Sequence, residues 1–143
     1  MFPSHDQGTS GAATLSNGVL NVPNYDTSGG GAWVDYSATS TIVGWSSFTN
    51  KIIKYRIIGK QLFCLFYLEG TSNSVNTTFT LPNNSLTYNE TAGRYANNGA
   101  VTAGYSRINS ASNIITFLSS IGSTTWTASG TKFLSGQFFY DIA

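Results

Sequence analysis

Apolar and polar residues alternate along this chain with a period of two, and no stretch shows the three-to-four spacing of an amphipathic helix. The pattern predicts short strands at 33–36, 42–48, 52–58, 62–68, 77–81, 100–108, 114–118, 123–128 and 132–142. Tight turns separate them: Gly59-Lys60 joins the strongest pair, residues 109–113 join a second hairpin, and Ser129-Gly130 precedes the last strand. Residues 82–99 lack a clear strand pattern and read as irregular chain. Upstream, Leu15, Val19, Leu20 and Val22 flank Asn17-Gly18, a two-residue hairpin signal. One strand is unusual. Leu62, Cys64, Phe66 and Leu68 face one way, Phe63, Leu65 and Tyr67 the other, so both faces are apolar. Its outer face needs a cover, which is either further chain folded over it or another copy of the molecule.

Composition sharpens the class. Ser, Thr and Asn supply 50 of the 143 residues, against 2 Glu, 4 Lys, 3 Gln and 1 Met, so the strong helix formers are scarce. The expected fold is all-β, a jelly-roll-like antiparallel β-sandwich with a short N-terminal hairpin. Residues 1–31 carry six glycines, two of the three prolines and no Lys or Arg, and read as an extended segment containing that hairpin. Residues 32–143 read as the sandwich domain. A lone hairpin buries too little apolar surface to stand by itself.

Charge and chemistry remove several functions. With 7 basic and 6 acidic residues there is no basic cluster for phosphate, so nucleic acid is not an expected partner. No apolar run is long enough for a membrane helix, and residues 1–6 show no signal-peptide pattern. His5 is the single histidine and Cys64 the single cysteine, which leaves neither a zinc set nor a His-assisted nucleophile. Asp26, Asp35, Glu69, Glu90 and Asp141 show no spacing suited to paired-carboxylate hydrolysis. The sequence thus predicts no catalytic residues, no metal and no cofactor. Cys64, inside an apolar run, is expected to be a buried, inert thiol.

Binding is better supported. Tyr88, Arg94, Tyr95, Asn97 and Asn98 fall in or beside the irregular stretch 86–98, and Trp126 falls near a turn. Aromatic faces pack on sugar rings, while Asn and Arg bond hydroxyls, so these six are the expected ligand-binding residues. The stretch from Gly8 to Tyr25, GTSGAATLSNGVLNVPNY, resembles a short module of bacteriophage tail fibres that precedes a C-terminal receptor-binding head. The segments YRIIGK at 55–60, GTSN at 70–73, TFTLP at 78–82 and SGQFFYD at 135–141 are similar to pieces of such heads. Met1 to Gln7 departs from that pattern. The resemblance implies a homotrimer on the virion, outside the cell. It implies attachment to a host surface glycan (lipopolysaccharide or capsule) or to an outer-surface protein. It supplies no ligand residues. The alternative is a carbohydrate-active enzyme fragment or an appended carbohydrate-binding module.

Overall fold

The computed structural model describes residues 7–8, 14–23, 31–121 and 125–143. These hold twelve strands and no helix. Three form a small sheet: β1 (Gln7–Gly8), β2 (Thr14–Ser16) and β3 (Val19–Pro23), in the order β1-β3-β2. The β2–β3 hairpin turns on Asn17 (φ 50°) and Gly18 (φ 76°), left-handed conformations that Asn and Gly tolerate best. This is the hairpin the sequence predicts. The triglycine run begins at Gly29 and Gly30, which lie outside the described residues.

The other nine strands form one antiparallel sheet: β4 (Val34–Asp35), β5 (Ile42–Val43), β6 (Trp45–Ile58), β7 (Gln61–Ser72), β8 (Thr78–Thr80), β9 (Asn89–Asn97), β10 (Ala100–Ile108), β11 (Ile114–Leu118) and β12 (Thr131–Asp141). Their spatial order is β4-β6-β7-β12-β9-β10-β11-β8-β5. The sheet curls until its ends meet. Residues 36–41 bridge the two edges: Tyr36 N donates to Ile53 O on β6, while Thr80 N on β8 donates to Thr41 O. The inward side chains of β7, Leu62, Cys64, Phe66 and Leu68, are buried as the alternation requires. Phe66 lies edge-on to Phe79 of β8 and Phe117 of β11, across the interior. The all-β antiparallel class is therefore correct, built as a single sheet whose halves face each other.

Two expectations need correction. Residues 89–97 are a regular strand, β9, paired along its whole length with β10. Its polar, glycine-containing sequence has little strand propensity, but the Asn98-Gly99 turn (φ 50° and 83°) fixes the register and tertiary pairing overrides composition. The strand expected at 123–128 is absent where it can be seen. Residues 125–128 are not strand, and 122–124 lie outside the described residues. Instead the Trp126 indole turns into the core and donates to Phe117 O at 2.9 Å. A smaller difference concerns 42–48 and 52–58: β6 runs unbroken from Trp45, with irregular register near Ser47 and Asn50.

Gly93 and Gly104 sit opposite each other on β9 and β10, and the Tyr95 ring lies over both. A Cβ at position 104 would collide with that ring and with the Leu118 carbonyl oxygen. Backbone cannot yield as a flexible side chain does. Gly104→Ala is expected to cost about 3 kcal/mol, read as a melting point lower by about 8 °C. A variant that melts with the wild type would show that Tyr95 does not occupy this place.

Candidate functional site

The six residues selected from sequence do not form one open surface: Tyr95 and Trp126 meet in the core with ring centres 6.0 Å apart, Asn97 lies beside Trp126 through Thr127, and the others are dispersed. Tyr88 is exposed just before β9, and its hydroxyl bonds the Glu90 carboxylate, which raises the phenol's pKa. Arg94 points outward from β9 with its guanidinium 5.2 Å from the Phe133 ring centre. Tyr95, one residue on, points inward and is fully buried, and burial pushes its phenol up to about 12. Asn97 also faces inward, and its Oδ1 accepts from Thr127 N at 3.0 Å and Thr127 Oγ1 at 2.8 Å. Asn98 forms the β9–β10 turn, and Trp126 is in the core. Tyr88 and Asn98 therefore lie at opposite ends of a strand, roughly 30 Å apart at about 3.3 Å per residue. Strand extension separates those two, and strand alternation sends Arg94 and Tyr95 to opposite faces.

A different set is assembled on the outer face. The turn at Gly59-Lys60 pairs Ile58 with Gln61, and counting back pairs Arg56 with Phe63. β12 runs along the other side of β7 and pairs Phe139 with Phe63. Along the free edge of β6, Val34 pairs with Tyr55, which brings Trp33 beside Arg56. One row thus crosses the sheet as Trp33, Arg56, Phe63 and Phe139. The Arg56 guanidinium lies 4.9 Å from the Trp33 ring and 5.5 Å from Phe63, and Phe63 stacks on Phe139 at 5.9 Å. Such contacts favour a cation held against ring faces.

The row borders a cavity of about 250 Å³ where β9 and β12 diverge, since their pairing stops at Ser135 and Arg94. Thr91 and Gln137 add hydroxyl and amide groups to its wall. The space is smaller than a drug-sized pocket, which starts at about 300 Å³. Among the described residues no carboxylate lines it. Cys64 touches the cavity and is buried, as expected, and desolvation raises its pKa, which disfavours the reactive thiolate. Trp33 and Phe139 are each about half exposed, so the aromatic surface is open to solvent. A second hollow of about 400 Å³ lies on the outer face of β9 and β10, lined by Glu90, Thr91, Ala92, Tyr105 and Ile121. Among the described residues no three His, Cys, Asp or Glu side chains gather as a metal site.

Chemically, the row offers flat apolar faces, one fixed cation and a few neutral hydrogen-bonding groups. These are groups suited to binding rather than to bond cleavage. Sequence reasoning misses the residues that build the row, although β7 carries the signal. Alternation places Phe63 and Leu65 on an outer face that needs a cover, and the hairpin register puts Arg56 beside Phe63.

No family model and no curated protein matches the chain. Among solved structures it is similar to a crystal structure of the reovirus attachment protein sigma1 in complex with alpha-2,3-sialyllactose. The two are 11% identical, over 91% of this chain and 85% of that one, with a TM-score of 0.38. A likeness that loose assigns no function.

Proposed function

We propose that this chain is the receptor-binding head of a bacteriophage tail fibre, which attaches the virion to a glycan or protein on the host surface, as a homotrimer and without catalytic activity. The observation that carries the reading is the solvent-open row of Trp33, Arg56, Phe63 and Phe139 on a rigid sheet. Aromatic rings with an arginine between them suit sugar recognition, because they gain area at low entropic cost. The resemblance of residues 8–25 to a fibre module supports the same reading.

Two features support a trimer. Leu15, Val19 and Leu20 of the small hairpin are exposed, and a hairpin that leaves these apolar residues open to solvent needs partners. On the outer face, Ile52 and Leu65 are each more than a third exposed on neighbouring strands. Three closed copies would cover such surfaces symmetrically and multiply a weak affinity for sugar.

The test is a glycan array read beside light scattering. Saturable binding to a subset of surface glycans is expected, from a particle of about three times the 15.3 kDa chain mass. Incubation with the bound polysaccharide is expected to leave its chain length unchanged. Shortened chains would instead favour a carbohydrate-active enzyme, and a 15.3 kDa particle would remove the trimer.

A further inference from the structure

We infer that the Arg56 cradle is a subsite for a carboxylate-bearing sugar, a uronic or nonulosonic acid, and that it discriminates against neutral sugars. The inference rests on the receptor-binding reading and names its ligand class. It starts from the state of the guanidinium. Among the described residues Arg56 forms no ion pair, and none of its side-chain N–H groups has a protein acceptor. Its Nε is shut from water and unpartnered. Buried donors are rarely left so, because each unmade bond costs free energy.

The surrounding charges do not neutralise it. Lys54, two residues earlier on the same outward face of β6, is a second cation, and its cross-strand neighbour is Asp35. Of the acidic residues on adjoining positions, Asp35 accepts from Ser37 N at 2.9 Å and Asp141 from Gln61 Nε2 at 3.1 Å. Both carboxylates are engaged away from Arg56. Among the described residues the cradle is therefore a positive site beside a cavity without a counter-charge.

Geometry selects the anion. The Trp33 and Phe63 rings flank the guanidinium at 4.9 Å and 5.5 Å, and its Nε is closed off, which leaves the Nη edge to bond a ligand. That edge is a planar fork, and a planar carboxylate meets it with two parallel hydrogen bonds. A sugar ring carrying the carboxylate can rest its apolar face on Phe139, while Gln137 reaches its hydroxyls. A neutral sugar in the same place would cover the guanidinium and give it no anion. The cation would then be desolvated without compensation, which is how discrimination against an analogue lacking one group arises.

The test uses the whole chain and pairs of sugars that differ only in the acid. Methyl glucuronide and methyl galacturonide are titrated against methyl glucoside and methyl galactoside, and the methyl glycoside of N-acetylneuraminic acid against its methyl ester, by NMR. At least one acid is expected to bind tenfold or more tightly than its neutral partner, and the gap is expected to narrow as salt is raised. In Arg56→Gln the gap should fall below twofold with the melting point and particle mass unchanged. Trp33→Ala should weaken the acid as well, as a second probe of the clamp. Equal binding of acid and neutral partner, or full acid binding by Arg56→Gln, would overturn the assignment. Glucose 6-phosphate binding as tightly as the glucuronide would overturn the choice of carboxylate. A change of particle mass in Arg56→Gln would show the cradle to be a contact between copies. If host cells are bound but no acid is, this inference alone fails; if neither is bound, the receptor-binding reading fails with it.

Discussion

Phe117→Ala is expected to lower the stability of the domain by about 4 kcal/mol, the range found when a buried aromatic ring is deleted. Phe117 projects inward from β11 and its ring lies 5.1 Å from Phe66, 5.1 Å from Phe79 and 5.9 Å from Tyr95. Phe66 belongs to β7, in the opposite half of the sheet, so its contact with Phe117 exists only because the sheet curls onto itself. The carbonyl of Phe117 also receives the Trp126 indole. For a domain of this length the loss corresponds to a melting point lower by about 12 °C. Phe117→Leu keeps most of the volume and is expected to cost about 1 kcal/mol. Thermal unfolding of both variants checks the pair. A loss below about 1 kcal/mol for the alanine variant would mean that the two halves are not in contact.

The second large effect is expected at Lys132, an inward-facing lysine of β12 that is 1% exposed. Its Nζ donates to Gly44 O at 2.9 Å, Thr77 Oγ1 at 2.7 Å and Ser74 O at 3.3 Å, and lies 5.3 Å and 5.0 Å from the rings of Trp45 and Trp126. Burial disfavours the ammonium and pushes its pKa down from 10.5 to about 8. The three oxygens and two indoles oppose that penalty without cancelling it. Lys132→Ala removes the stem from between the indoles and leaves buried acceptors without a donor, so a loss of about 3 kcal/mol is expected. The pH dependence follows from the sign of the shift. Between pH 8 and 10.5 the unfolded chain holds the proton that the folded chain has released, so stability rises with pH there, by up to about 1.4 kcal/mol per unit. Below pH 8 the burial penalty is present in full. Denaturant unfolding at about pH 7.5, 8.5 and 9.5 should show the rise in the wild type and a flatter profile in Lys132→Ala. Parallel profiles would place the lysine in water.

Lys132 also shows where sequence reading stops. Alternation with Leu134 puts it on the inner face, yet a lysine is rarely buried, and nothing local announces the two indoles that receive it. The class of fold is legible because it depends on period-two patterning and turn residues, as at Asn17-Gly18 and Gly59-Lys60. β9 is not legible, because Gly93, Arg94 and Asn97 gain their strand conformation from β10 and β12 rather than from their own propensities. The same misreading places the expected site there. Once β9 is a strand, Tyr95 and Arg94 must face opposite ways, and one enters the core. The outer row is half legible. The apolar outer face of β7 announces that something must meet it, and the hairpin fixes Arg56 beside Phe63. The approach of Trp33 and Phe139 depends on pairings between segments far apart in sequence, which no local pattern reveals.

The receptor-binding account meets its most direct test in adsorption of the labelled, intact chain to a panel of bacterial strains, measured beside Phe139→Ser. Phe139 is half exposed, so its loss should spare the fold while removing the open ring of the outer row. Saturable binding to some strains and not others is expected, with the variant tenfold weaker or more at an unchanged melting point. Failure to bind any strain, or equal binding by the variant, would contradict the account.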